Sequence, residues 1–291
     1  MKASMKILIL GSQGNLGQDL VSVFSAAGHE VVGCDRDELD VTDQAAVRAM
    51  IGRGFSAVIN AVAYNNVDGA EDPANKPIAW KLNAEVPGEL ARAAREAGAA
   101  FVHYSTDYVF AGQKPEGYVE SDTPDPISVY GESKFAGEQA VAAAGGRWYL
   151  CRLSKIYGKP GPSKLSKPSF VSVMVGLAKT KPELTIVDEE VGSPTYTRDV
   201  ATATLRLLTE QFPSGIYHLV NEGPGVTWYG FAEEFFQLLG IQTPRKPVSS
   251  SAFPKPARRP PFAALRNTKF PPLRSRLDAL RAFFQDCPPD A

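Results

Sequence analysis

The sequence predicts an α/β fold: a doubly wound parallel sheet across the first half of the chain, followed by a smaller carboxy-terminal α/β unit. Three observations predict it. Short β-rich runs alternate with alanine-rich, helix-period segments through the first 150 residues, the pattern of parallel strands joined by crossover helices. A glycine turn, Gly11-Ser-Gln13-Gly14-Asn15-Leu16-Gly17, separates the first strand from the first helix. After Tyr157 the texture changes to GKPGPSKLSKP over 158–168, too rich in Gly, Pro and Lys for a regular element.

In chain order, the expected strands of the first part are 7–10, 30–34, 57–60, 100–104 and 148–153, with helices over 83–97 and 133–144 among the connections. The 158–168 loop follows, then a helix over 169–178, a strand at 184–187, a helix over 197–208 and a strand at 216–220. Residues 228–239 read as an amphipathic helix with Thr227 as its N-cap. A proline-rich, basic tail spans 249–272, and a short helix over 276–284 closes the chain. This order divides the chain into a first domain, 1–157 with a returning segment near 184–215, and a second made of 158–183 and 216–291.

Composition removes several function classes. The chain has 291 residues, with 31 Lys and Arg against 32 Asp and Glu. The basic excess of a nucleic-acid binder is missing. Hydrophobic residues make up 44% and charged residues 22%, ordinary globular usage that excludes wholesale disorder. Cys34, Cys151 and Cys287 are far apart and form no CxxC pair, so neither a disulfide framework nor a structural zinc site is expected. His29, His103 and His218 are isolated; no metal site is expected, and His103 reads as a core histidine. The amino-terminal apolar run is short and enters a glycine turn rather than a cleavage site. No apolar stretch approaches the roughly 20 residues that span a bilayer. A cytoplasmic protein without membrane or nucleic-acid partners is the expectation.

The glycine turn carries the first functional reading. Its glycines permit a tight bend and close backbone approach, and the helix behind it offers free N–H groups and a positive dipole end to a pyrophosphate. This assigns Gly11, Gln13, Gly14, Asn15, Leu16 and Gly17 to a dinucleotide in a Rossmann-type domain; a bare glycine turn is the plainer reading of the motif alone. Asp35 closes the second strand about twenty residues later, where a carboxylate accepts from an adenosine ribose and favours NADH. Arg36 beside it suits the 2′-phosphate of NADPH, or is a solvated loop charge. The sequence leaves NADPH and NADH both open. Asp40 and Val41 are placed to flank the adenine, with capping of a helix near Thr42 as the other role for Asp40. Small residues after the third strand, Ala61 and Ala63 before Tyr64, let a cofactor lie across the strand ends and are equally common in plain packing.

The chemical reading rests on Ser105-Thr106-Asp107 and Tyr130-Gly-Glu-Ser-Lys134. Residues four apart share a helix face, so an ammonium at Lys134 is expected beside the Tyr130 phenol, lowering its pKa from about 10. That suits a general acid for carbonyl reduction, with Thr106 offering a hydroxyl to the carbonyl oxygen. Alone, a Tyr-x-x-x-Lys pair is a common surface coincidence; the glycine turn and the strand-end triplet give it weight.

These motifs, together with NAVAYNNVDGAE, KLNAEVPGELA, STDYVFAG, YVESDTPDPISVYGESKFAGE, VGSPTYTRDVA and ARRPPFAAL, resemble the extended short-chain dehydrogenases/reductases and, within them, the dTDP-4-dehydrorhamnose reductase family, over nearly the whole chain. The resemblance implies hydride transfer from NAD(P)H to C4 of a nucleotide-linked 4-keto-6-deoxy sugar, giving dTDP-L-rhamnose. Carried onto this chain, Tyr130 protonates the forming alkoxide, Lys134 tunes Tyr130 and holds the nicotinamide ribose, and Thr106 orients the ketone. Val67, Asp107 and Tyr108 match positions lining the sugar pocket. Asn83 matches an asparagine that supports the active site, or else caps the helix ending near Ala97. A homodimer is also implied.

Three departures bear on the sugar. The family pattern Arg-Thr-Ser-Trp-Val-Tyr-Gly reads Arg152-Leu-Ser-Lys155-Ile-Tyr157-Gly158 here, replacing a flat apolar platform with a charge that could meet phosphate or a different sugar. The late Arg-Pro-x-Asn-Ser-x-Leu reads Arg259-Pro-Pro-Phe262-Ala-Ala-Leu265, and Asn65 stands where threonine is usual. Arg259 belongs to a run of tail cations beginning at Lys255, suited to a diphosphate in a cleft or else a solvated basic loop. The alternatives are a related reductase or epimerase for another sugar, and a non-catalytic regulatory subunit resembling the methionine adenosyltransferase β subunit.

Overall fold

Ile7, Leu8, Ile9 and Leu10 are buried on both faces, as a strand between two helix layers must be. The computed structural model describes residues 4–164 and 166–288; Leu165 of the expected 158–168 loop lies outside them. In chain order the elements are β1 (Lys6–Leu10), α1 (Asn15–Ala26), β2 (Glu30–Cys34), α2 (Gln44–Ile51), β3 (Ala57–Asn60), α3 (Lys76–Trp80) and α4 (Val86–Glu96). Then come β4 (Ala100–Thr106), α5 (Val129–Ala144), β5 (Trp148–Leu153), β6 (Ile156–Tyr157), α6 (Phe170–Ala178), β7 (Leu184–Val187) and β8 (Thr195–Tyr196). The chain closes with α7 (Thr197–Thr209), β9 (Gly215–His218), α8 (Trp228–Leu239), β10 (Arg245–Val248) and α9 (Arg276–Asp286).

Six strands form one parallel sheet in the order β2-β1-β3-β4-β5-β9. Alternate residues of β1 serve opposite cores: Ile7 and Ile9 meet Leu20 and Phe24 of α1 and Leu207 of α7, while Leu8 and Leu10 meet Val47 of α2, Leu90 of α4 and Val141 of α5. The chain reverses its winding between β1 and β3, which puts a crevice at their carboxyl ends.

A second lobe is built on aromatic packing. Phe231, Phe235 and Phe236 of α8, Phe283 of α9 and Val171 of α6 bury against Ile186 of β7 and Tyr196 of β8. Two small parallel sheets, β10-β7 and β6-β8, complete it. Side-chain caps start its helices: Ser169 for α6, Thr227 for α8 as expected, and Ser275 for α9. No helix among the described residues is long and apolar enough to cross a membrane.

The structure differs from the expected layout in four places. β9 lies in the 216–291 portion yet forms the sixth strand of the main sheet, and β7, expected in the returning 184–215 segment, pairs with β10 instead. α2 is capped by Asp43, whose carboxylate accepts from the Ala45 and Ala46 N–H groups, not by Asp40. The helix expected over 133–144 begins at Val129, because Ser128 caps it by accepting from the Gly131 N–H. The helix expected over 83–97 starts earlier and passes through a π turn, Lys81–Glu85, before α4. Pro87 explains that turn: it has no N–H to return to the Asn83 carbonyl, and Gly137 of α5 packs against that oxygen, where a Cβ would lie 2.1 Å away.

Candidate active site

The crevice at the ends of β1 and β3 opens into a cavity of about 530 Å³ that continues past Thr106 and Tyr130 to Lys155, Glu190 and Trp228 of the second lobe. Gly11, at φ 75°, turns the chain sharply after β1 and donates its N–H to the Cys34 carbonyl at 2.8 Å. A Cβ on Gly17 would stand 2.0 Å from the Gly11 carbonyl oxygen, so only glycine allows α1 to begin this close to the turn. α1 has no side-chain cap and no acidic residue in its first turn, leaving its N–H groups and positive end facing the cavity that Gly14, Asn15 and Leu16 line. Ser105 adds a buried hydroxyl on the cavity wall that meets no other described group. A glycine-built cradle, an uncapped helix start and an orphaned hydroxyl fit a dinucleotide.

Other members of the expected cofactor set divide. Asp35, Ala61 and Ala63 line the cavity. Asp35 also fixes the turn, accepting from the Gln13 N–H at 3.2 Å and the Arg36 N–H at 2.8 Å. Gln13 contributes through its backbone: its carbonyl accepts from the Ser163 N–H at 3.1 Å. The Asn15 amide clamps the 158–168 loop, accepting from the Gly161 N–H at 3.1 Å and donating to the Lys167 carbonyl at 3.0 Å. Arg36 is exposed and is not among the cavity-lining residues. Asp40 and Val41 are not on the cavity wall: Val41 is buried in the core under β1, and Asp40 accepts from the Thr42 N–H and hydroxyl. Asn83 and Tyr64 form a brace behind the wall, with Asn83 Oδ1 accepting from the Tyr64 N–H and Nδ2 donating to the Tyr64 carbonyl and to Ser133. Fully buried within the π turn, Asn83 caps no helix.

Thr106, Asp107, Tyr108, Tyr130, Lys134 and Val67 do meet on the cavity wall. Thr106 ends β4 and Tyr130 lies in the first turn of α5. The Thr106 hydroxyl donates to Asp107 Oδ1 at 3.0 Å and accepts from the Tyr108 N–H at 3.2 Å. Asp107 also accepts from Ser154 at 2.6 Å. Burial pushes its carboxyl up to about 6, against the pull of Ser154, Thr106 and the Lys155 charge. The Tyr108 ring stands edge-on to Tyr130 at 5.6 Å.

The expected depression of Tyr130 is not found. Burial pushes its phenol up to about 12, only partly offset by a hydrogen bond with Thr106. The reason is the direction taken by Lys134: its Nζ donates to the Tyr104 carbonyl at 2.6 Å and approaches His103 Nε2 at 3.3 Å, both on β4. Burial lowers the Lys134 ammonium to about 8. The shared helix face is real; the Lys134 nitrogen is spent on the strand beneath it.

Lys155 is likewise spent. Its ammonium donates to the Glu190 carbonyl and to the Val226 carbonyl, at 3.3 Å for the latter, and lies 4.0 Å from the centre of a Trp228 ring. It straps the two lobes together rather than offering a free charge to phosphate. Arg259 makes a two-pronged ion pair with Asp68 at 3.0 and 2.8 Å and stands behind its cavity-lining neighbour Pro260. Two further tail cations are committed to carboxylates, Arg274 to Asp199 and Arg276 to Glu234. Trp228 and Phe170, 4.6 Å apart, are cavity residues that the sequence reading missed; both belong to amphipathic helix starts whose inward face is set by the other lobe.

The family described as RmlD substrate binding domain matches residues 5–283. A Mycobacterium tuberculosis protein named dTDP-4-dehydrorhamnose reductase is 38% identical over 272 residues, covering 92% of this chain and 86% of that one. A Streptomyces antibioticus protein named as a probable dTDP-4,6-dihydroxy-2-methyloxan-3-one 4-ketoreductase is 36% identical, covering 97% of this chain and 95% of that one. The crystal structure of a Bacillus anthracis dTDP-4-dehydrorhamnose reductase in complex with NADP superposes with a TM-score of 0.91 at 31% identity, covering 98% of this chain and all of that one.

Proposed function

From a chain that belongs to the RmlD substrate binding domain family, we infer an NADPH-dependent reductase acting on the C4 ketone of dTDP-4-dehydrorhamnose and forming dTDP-L-rhamnose. The observation that carries it is one continuous cavity joining the glycine cradle to Thr106 and Tyr130, in a chain similar over almost its full length to reductases named for that substrate. When bound, the nicotinamide cofactor supplies the hydride.

The protein supplies position and a proton. Gly11, Gly14 and the start of α1 receive the pyrophosphate, and the Asn15 clamp on the 158–168 loop covers that end of the cavity. Tyr130, held up near 12, is a loaded proton donor at any physiological pH. The alkoxide forming at C4 is more basic than a phenolate, so transfer from the phenol to that oxygen is downhill. Thr106, fixed between Asp107 and the Tyr108 N–H, holds the Tyr130 hydroxyl toward the cavity. Trp228 and Phe170 supply an apolar wall where the family pattern has a tryptophan at the Lys155 position. Cytoplasmic residence accords with a biosynthetic enzyme and is part of the same proposal.

Oxidation of NADPH in the presence of dTDP-4-dehydrorhamnose tests the reading, with Tyr130→Phe as control. Removing the proton donor is expected to slow turnover by about 10²–10⁴-fold while fluorescence titration shows NADPH affinity within about twofold of wild type. Full activity in the variant would remove Tyr130 as the donor.

A further inference from the structure

Behind the reactive face lies a buried hydrogen-bond chain that the proposed chemistry does not use. It runs from the Val62 N–H through the Asn60 side chain and the His103 imidazole to Lys134 Nζ, crossing β3, β4 and α5. The distances are 3.0 Å from the Val62 N–H to Asn60 Oδ1, 3.1 Å from Asn60 Nδ2 to His103 Nδ1, and 3.3 Å from His103 Nε2 to Lys134 Nζ. Asn60 and His103 have no exposed surface, and Lys134 is 2% exposed, so the partners along this chain are supplied by the protein.

The order of donors along this chain is forced from one end. A backbone N–H can only donate, so it takes Asn60 Oδ1 and leaves the Asn60 amide NH₂ facing the imidazole. His103 Nδ1 must then accept, which puts the one proton of the neutral ring on Nε2. That N–H points at Lys134 Nζ. An ammonium has no lone pair and would set donor against donor. A neutral amine accepts from His103 and still donates to the Tyr104 carbonyl at 2.6 Å.

We propose that His103 is a positioning residue for Lys134: Asn60 locks its imidazole as the Nε2–H tautomer, and that N–H holds the Lys134 nitrogen as a hydrogen-bond acceptor in the free protein. The consequence rests on the reductase reading above. Lys134 is then held below its ordinary range in the free protein and regains its proton affinity when a cofactor or substrate in the cavity outweighs His103, so filling the site draws in a proton at mildly alkaline pH. The surroundings agree. The charged group facing Lys134 along α5 is Glu138, and it is committed to Arg152 of β5 in a buried pair at 2.7 Å; Tyr130 is neutral, and burial, the largest cause, holds His103 well below the ordinary imidazole range. Burial also brings Lys134 down to about 8.

Histidine ¹⁵N and ¹³C chemical shifts in the free, full-length protein test this without substrate or turnover, so the result stands apart from the fate of the reductase reading. His218 is an internal reference: its Nδ1 faces the Arg266 carbonyl at 3.0 Å, which only accepts, so it must be the Nδ1–H tautomer. His103 is expected as the opposite, Nε2–H tautomer and to stay neutral from pH 6 to 9. A His103 found as Nδ1–H or as imidazolium overturns the proposal. Asn60→Asp supplies a second reading, because a carboxylate accepts from both the Val62 N–H and the imidazole Nδ1–H. In that variant His103 is expected to invert to Nδ1–H, and the alkaline limb of kcat/KM to move up by about one pH unit as Lys134 is allowed its proton. Inversion of the ring with an unmoved limb would separate His103 from Lys134 and also overturn the proposal.

Discussion

Asp107 is a cavity carboxyl whose charge changes near neutrality, and its burial makes that change a stability effect. The native carboxyl, at about 6, lies above its ordinary 3.8, so between those values the folded protein holds a proton that the unfolded chain releases. Stability is therefore fully present below about pH 4 and declines as pH rises through 6. Asp107→Asn should remove that decline: thermal unfolding from pH 4 to 8 should show the wild type losing ground to the variant between about pH 4 and 6 and running parallel to it above. A pair of curves parallel throughout would show that Asp107 titrates alike in both states. At this scale the sequence was legible where chemistry follows spacing. Tyr130 and Lys134 four apart, with Thr106 at a strand end, do meet on one wall. It was not legible where charge follows burial. Nothing in a Tyr-x-x-x-Lys motif says that the lysine turns to the Tyr104 carbonyl, or that Arg259 finds Asp68 far away in the chain.

The glycine turn is an element whose geometry dictates its residues. Gly17→Ala would press a methyl group against the Gly11 carbonyl oxygen at 2.0 Å, and backbone cannot yield as a side-chain tip can. Overpacking of this kind costs about 1–3 kcal/mol, and because it widens the cradle itself, NADPH affinity should fall about tenfold or more. Fluorescence titration checks it; unchanged affinity would mean that the cofactor does not use the turn. The Lys155 strap makes a different prediction. Lys155 and Glu190 are both non-glycine residues in the left-handed region, at φ 44° and 60°, and the ammonium of one is bonded to the carbonyl of the other. Strained backbone of this sort persists only where its surroundings hold it. Lys155→Met keeps the stem and removes the donor from two carbonyls, which should cost about 1–3 kcal/mol in urea unfolding; no loss would make the strap incidental. Helix starts such as Thr227 were readable because a cap is local. The β6-β8 pair was not, since each strand is two residues long and its partner lies far along the chain. The exchange of β7 and β9 between lobes has the same cause: a four-residue apolar run reads alike in either sheet.

The cavity belongs to the whole molecule. Its floor comes from β1, β3 and β4, one wall from α5, and its far side from Lys155, Glu190 and Trp228. The tail seals it by crossing back: the Ala263 N–H donates to the Val191 carbonyl at 2.9 Å and the Phe262 N–H to the Gly112 carbonyl at 3.2 Å. A segment that reads as a basic, proline-rich tail is thus a structural seam with Leu265 and Phe270 buried in it. The two bonds join residues 72 and 150 positions apart, which is why the cradle could be read from the chain and the far wall at Phe170 and Trp228 could not.

The central claim is that one cavity brings hydride and sugar together for direct transfer at C4. It is tested most directly by single turnover of dTDP-4-dehydrorhamnose with NADPH carrying deuterium at both nicotinamide C4 positions, followed by mass and NMR analysis of the product. The account predicts one deuterium per sugar, at C4, with Tyr130→Phe giving the same label at a much lower rate. A product without deuterium, or with label at another carbon, would contradict it.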